Sequence, residues 1–182
     1  MQKYEEKDQK LIGEAVIEEV LNKNNFKDFK TKLHNKNSKC CYRTNKTTTI
    51  KLNKKEAKEE SAESLIVAAH EASHALNYRE GITNAKLIKF TEISSRSILL
   101  FMLTASAILS FYNWQYSWLV LILLITSFFS ITKFYFKYYI YDETKTEERA
   151  LEEIRSVWGK LQTDIKFEEV EERNKARLEK TY

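Results

Sequence analysis

Residues 65–81 read L-I-V-A-A-H-E-A-S-H-A-L-N-Y-R-E-G, and the reading of this stretch governs the rest of the chain. Its alanines and leucines favour helix, Ser61 stands where an N-cap is wanted, and Gly81 stands where a C-terminal cap is wanted. On such a helix His70 and His74 are one turn apart. Their imidazoles then leave the same face and can grip one zinc ion from a single rigid element. Glu71 follows the first histidine, and in an H-E-x-x-H site that carboxylate takes a proton from the metal-bound water while zinc polarises the scissile carbonyl. Apart from His70, Glu71 and His74, residues 65–76 are uncharged, as a helix buried behind a dry metal site requires. The third histidine, His34, lies in a polar stretch and is expected at the surface.

A catalytic zinc needs a third protein ligand, and a carboxylate is the better candidate here. Its position depends on the next segment. Residues 97–132, 36 in a row, carry no charge and are flanked by Arg96 and Lys133. As one helix they would span about 54 Å against a hydrocarbon core of about 30 Å, so the block is expected to cross a bilayer twice. Its middle, residues 112–118, is polar and aromatic and marks the tip of a hairpin at the interface. The second arm can run past Thr132, because Lys133 and Lys137 can snorkel and Tyr135, Tyr138, Tyr139 and Tyr141 suit the headgroup layer. Arg79, Lys86, Lys89 and Arg96 precede the hairpin and Lys133 and Lys137 follow it, so the positive-inside asymmetry puts both ends in the cytoplasm. A hairpin returns the chain to the side it left, which brings Asp142, Glu143, Glu147 and Glu148 within reach of the histidine helix. Glu143 and Glu147 are four apart on a helix expected to continue from the membrane. One can bind metal while the other orients a histidine. These residues alone leave the choice open, with Glu143 placed first.

The remainder frames that site. A chain of 182 residues has room for one core of ordinary size. With 30 basic and 26 acidic side chains its net charge of +4 gives no reason to expect a nucleic-acid partner. Proline is absent and glycine occurs three times, which favours long helices. Cys40 and Cys41 are adjacent, a spacing that rarely reaches disulfide geometry, so reduced thiols are expected. Apolar residues from Leu11 to Leu21 recur at helical spacing and predict an amphipathic helix over 5–22. Phe29, Thr31 and Leu33 alternate with lysines, and 47–52 is rich in β-branched residues. Two short strands joined through residues 35–45 follow. Residues 23–58 hold twelve basic and two acidic side chains, read as a solvated face that anionic lipid or an acidic partner can also meet. Leu151, Ile154, Trp158, Leu161 and Ile165 predict one further helix that packs on its own domain. Residues 1–10 are mostly polar, so no signal peptide is expected there. The expected fold is mainly α with a small β-element (α+β), divided into an N-terminal region (residues 1–96), a transmembrane hairpin (residues 97–141) and a C-terminal helical region (residues 142–182).

Residues 67–76, V-A-A-H-E-A-S-H-A-L, and 143–151, E-T-K-T-E-E-R-A-L, together resemble the bacterial membrane-associated neutral zinc metallopeptidase family. Its pattern is a V-A-A-H-E-x-x-H-A helix, a hydrophobic hairpin, then E-x-x-A-x-x-R-A-L. The resemblance extends over 13–21, G-E-A-V-I-E-E-V-L, and 42–52, Y-R-T-N-K-T-T-T-I-K-L. It implies a zincin-like, gluzincin-like core built on the H-E-x-x-H helix and interrupted by the hairpin, with Zn2+ held by His70, His74 and Glu143 and with Glu71 as catalytic base. The implied protein is a multi-pass cell-membrane peptidase that hydrolyses peptide or protein substrates on the cytoplasmic side, where both termini would also lie. An extended substrate could add to the strand at 47–52. The sequence departs from the pattern at Thr146, where the family has alanine, and at Cys40-Cys41, where it has Asp-His. Hydrophobic spans that such proteins carry at their ends are not expected in the charged residues 1–10 and 166–182. Two further readings remain open on the sequence: a non-catalytic membrane protein that retains a structural or regulatory zinc site, and a small hairpin-forming membrane effector.

Overall fold

A computed structural model describes residues 11–41, 47–112 and 117–181. Helix α1 (Ile12–Lys23) leads to strands β1 (Phe29–His34), β2 (Lys39–Cys41) and β3 (Thr48–Asn53). Helices α2 (Lys54–Lys58), α3 (Ala62–Glu80), α4 (Ala85–Tyr112) and α5 (Ser117–Val157) follow, then a 3-10 turn (Trp158–Lys160) and α6 (Phe167–Thr181). The fold is therefore mainly helical with one small sheet, an α+β arrangement. It divides into two compact units, one of Met1–Thr83 with Glu143–Tyr182 and one of Asn84–Asp142.

In the first unit, α3 is the central element. It is buried from Ser64 to Asn77 with no exposed face, as a helix enclosed on all sides must be. Ser61 Oγ accepts from the Ser64 amide at 3.2 Å, and Gly81 ends the helix at φ 72°, a left-handed cap open to a residue without Cβ. Around α3 the core gathers Val16, Ile17, Val20 and Leu21 of α1, Ile50 and Leu52 of β3, Ile154 and Val157 of α5, and Val170 of α6. Gly13 lets α1 approach α2: a Cβ there would stand 3.3 Å from the Ala57 Cα and 3.3 Å from Leu52 Cδ1.

The sheet has three strands where the sequence predicts two. The Asn- and Lys-rich connection itself contributes β2, whose apolar content is too slight to announce a strand. The order is β1-β3-β2, with β1 parallel and β2 antiparallel to β3. Thr48, Ile50 and Leu52 point into the core, and the other face carries Lys32, Lys51 and Lys39 in one cross-strand row. That face is the solvated side expected of the lysine-rich segment. His34 closes β1 rather than lying in a loop, and its Nδ1 accepts from the Lys36 amide at 3.1 Å.

Two helical expectations change. The first helix begins at Ile12 and not near residue 5, since Leu11 is extended at its N-cap; residues 5–10 lie outside those described. The C-terminal helix breaks: α5 stops at Val157, and Gly159 lies in the short 3-10 turn that follows. Leu161 and Ile165 therefore sit in the connection to α6 but still pack on the core, and Trp158 meets Phe167 edge-on across the break at 5.1 Å. The 3,4 spacing persisted through a turn because both helices cover one core.

In the second unit, Asn84 Oδ1 caps α4 by accepting from the Lys86 and Leu87 amides at 3.1 and 3.0 Å. Leu100, Phe101 and Ile108 of α4 and Trp118, Leu123 and Phe129 of α5 are exposed, an arrangement that a soluble surface avoids. Among the described residues one helix, within Leu121–Lys160, is long and apolar enough to cross a bilayer, where the sequence predicts a hairpin of two such arms. The shortfall lies in α4. Lys86, Lys89, Glu92 and Arg96 occupy its first half, and its uncharged stretch, 97–112, reaches only about 24 Å. The expected tip residues 113–116 lie outside those described, as does Tyr42.

Candidate metal centre

Every residue of the site belongs to the first unit. α3 presents His70 and His74 on one face, with ring centroids 4.6 Å apart and planes perpendicular. α5 delivers Glu143. Its Oε2 lies 3.3 Å from His70 Nε2 and its Oε1 lies 3.8 Å from His74 Nε2. One ligand atom from each of the three residues falls within 4.8 Å of the other two, and both histidines are buried. Two imidazole nitrogens and a carboxylate oxygen are the donor set of a catalytic zinc centre with an open position, so the residues fit the metal.

The opposite ring nitrogens are also held, and again by α5. His70 Nδ1 is 3.2 Å from Glu147 Oε1, an ion-pair contact short of hydrogen-bond alignment, and His74 Nδ1 is 3.1 Å from Thr146 Oγ1 in a hydrogen bond. When Nε2 faces a metal, Nδ1 carries the ring proton and donates, so a carboxylate and a hydroxyl oxygen are the acceptors required. Thr146 also accepts from Asn77 Nδ2 at 3.1 Å, and Asn77 Oδ1 accepts from Arg149 Nη1 at 3.0 Å. Arg149 further grips Glu80 through two hydrogen bonds of 2.6 and 2.9 Å. One face of α5, residues 143, 146, 147 and 149–150, is thereby clamped along α3.

Charge follows from this packing. Burial lowers the His70 pKa, but the adjacent Glu143 and Glu147 carboxylates outweigh it and hold the metal-free imidazole at about 9. Burial pushes the Glu147 carboxyl up, and His70 and Arg177 together bring it below the ordinary 4.5. Glu71 is buried as well, and burial pushes its carboxyl up from 4.5 against the pull of His74, His70 and the Cys40 amide, with Glu143 adding repulsion. Its Oε2 is buried without a hydrogen-bond partner. A carboxylate raised toward neutrality beside a candidate metal site can act as a proton acceptor.

Of the four acidic candidates, the structure brings Glu143 and Glu147 to the histidines. Glu148 is exposed and pairs with Lys145 at 2.7 Å, and Asp142, although buried, is not in the metal-compatible group. His34 is outside that group too. Thr146 was legible only as a departure from a family pattern, yet its hydroxyl contacts a histidine. The signal available was its place: three residues after Glu143, it shares the buried face of the helix. The strand at 47–52 cannot accept an added substrate strand, since β3 is central and both of its edges are taken. β2 is the edge strand beside the site, and its Cys40 amide donates to the Glu71 carboxylate. Cys40 and Cys41 are not in a disulfide and are half-buried there.

A family model described as "Putative neutral zinc metallopeptidase" matches residues 1–151. No curated protein and no solved structure matches the chain.

Proposed function

The chain belongs to this family of neutral zinc metallopeptidases, and from that premise we propose that it is a membrane-anchored peptidase in which His70, His74 and Glu143 hold Zn2+ and Glu71 is the general base. The observation that carries the reading is the convergence of those three ligand atoms within 4.8 Å, next to a buried Glu71 oxygen that has no partner. Zinc, when bound, supplies Lewis acidity, polarising a carbonyl and making a water molecule a stronger acid. Glu71 takes the proton from the attacking water and can return it to the leaving amine, since one carboxylate serves both directions. Glu147 and Thr146 keep the two Nδ1 protons in place, which fixes ring orientation and tautomer. A peptide binds extended along the outer edge of β2, its backbone completing the sheet next to Glu71.

The membrane assignment rests on the apolar exposure of the second unit and on topology. Residues 83 and 143 belong to one compact unit, so the segment between them enters and leaves a bilayer on the same side. With α5 as one candidate span, α4 supplies the return, its short apolar stretch helped by local thinning or by snorkelling of Arg96. Arg79, Lys86, Lys89, Lys133 and Lys137 favour the cytoplasm for the metal centre and both termini.

Zinc quantification on the purified protein and on His70→Ala and Glu143→Ala tests the ligands, with about one equivalent expected for wild type and a large loss in both variants. Unchanged zinc in either variant removes that residue from the set. Glu71→Gln separates catalysis from a purely structural zinc: retained metal with lost hydrolysis of a peptide library supports the base, and undiminished hydrolysis refutes it.

A further inference from the structure

The metal centre is held from a third direction by α6, which lies beyond the residues matched by the family model. Val170 and Asn174 are fully buried on its inner face, and Arg177 follows on the same face, one turn later. The Arg177 guanidinium spans two carboxylates: Nε and Nη2 reach Glu147 Oε1 at 2.7 Å, and Nη1 donates to Glu63 Oε1 of α3 at 3.0 Å. Glu147 Oε1 thus sits between a guanidinium and the Nδ1 of His70, 3.2 Å away. The other oxygen, Oε2, is buried and makes no hydrogen bond, and the His70 Nδ1 contact is an ion-pair distance without hydrogen-bond alignment, so the orientation of this carboxylate rests on Oε1 and its bonds to Arg177.

Resting on the reading of His70 as a zinc ligand, we propose that Arg177 is a positioning residue that fixes Glu147 and, through it, the His70 imidazole, so that α6 completes the metal centre. Without the guanidinium, the 4%-exposed Glu147 side chain loses its charge partner and can rotate Oε1 away from the ring. A planar fork across two carboxylates suits this task better than a point charge. Arg173, one turn earlier, pairs with Glu63 and docks α6 on α3 without reaching Glu147. It is the internal control.

The test measures Zn2+ affinity by chelator competition, and the visible absorption of Co2+ bound in its place, on the full chain and four variants. Arg177→Met is expected to weaken Zn2+ binding by about 10–100-fold and to change the Co2+ spectrum. Arg177→Lys should recover part of the loss, and Arg173→Met should match wild type in both readouts. Wild-type affinity and spectrum in Arg177→Met would overturn the proposal, as would an equal loss in Arg173→Met, which would reduce α6 to a docking element. If Arg177→Met does not fold, Arg177→Gln takes its place with the same expectations. His70→Ala keeps the two levels apart: if it retains wild-type zinc, the ligand assignment has failed, whereas zinc loss there with none in the Arg177 variants sinks only the positioning role.

Discussion

Replacing Thr146 by valine keeps the shape of a fully buried side chain and deletes the one oxygen that accepts from Asn77 Nδ2 and is hydrogen-bonded to His74 Nδ1, each at 3.1 Å, accepting there when Nε2 faces a metal. A valine methyl can accept neither bond. Depriving a buried donor of its acceptor costs about 1–3 kcal/mol. The Asn77 share of that cost falls on folding whether or not metal is present. The His74 share falls on metal binding, because it is the Nδ1-protonated ring that offers Nε2 to zinc. Loss of such an anchor typically weakens metal binding by about 10–100-fold, or about 1.4–2.8 kcal/mol. Chelator competition measures the affinity, and thermal unfolding of the metal-free protein isolates the folding share. Thr146→Ser, which restores the oxygen, should recover most of both. Wild-type zinc affinity in Thr146→Val would show that the hydroxyl does not orient His74, and the assignment of Nε2 to the metal side would lose its support.

Three other outcomes follow from the geometry. Gly13→Ala should lower stability by about 1 kcal/mol in thermal melts, since its new methyl would press on backbone at Ala57, which cannot yield as a flexible side chain would; an unchanged or raised melting temperature counts against that contact. Leu76→Ala, at a fully buried position of α3, should cost about 2–5 kcal/mol in denaturant unfolding, and a smaller loss would mean the core there is loosely packed. For the metal-free protein, the raised His70 pKa contributes stability that is complete below 6.5 and is lost as pH rises through about 9, while the lowered Glu147 and Glu63 carboxyls contribute stability that is present above 4.5 and is lost as pH falls through their folded values. The raised Glu71 carboxyl adds a loss as pH climbs above 4.5, so melting temperature should fall both below about 4.5 and from about 6.5 to 9. A flat profile from 6.5 to 9 would contradict the His70 environment.

The histidine helix was legible because its signals agree: cap at Ser61, left-handed glycine at 81, an uncharged interior and two histidines one turn apart. Glu143 and Glu147 were reachable from the expectation of a hairpin, which would bring the chain back to the side it left. β2 was not legible, because its three residues are held by pairing to β3 and not by any alternation of their own. Nor was the stop at Val157, where apolar spacing ran on through a non-helical connection that covers the same core. The roles of Thr146, Asn77 and Arg177 were not legible for a different reason. Their roles depend on contacts between segments distant in the chain, and single-residue chemistry does not announce such partners.

The metal-compatible cluster joins His70 and His74 of α3 to Glu143 of α5, with the whole of the second unit between His74 and Glu143 in the chain. During synthesis the ribosome therefore releases His70 and His74 well before Glu143, and Arg177 last of all. A nascent chain cannot assemble the metal-compatible cluster until the apolar intervening segment has been made. On the proposed reading, activity is withheld from a half-made peptidase by the order of its own translation, with no propeptide required for that delay.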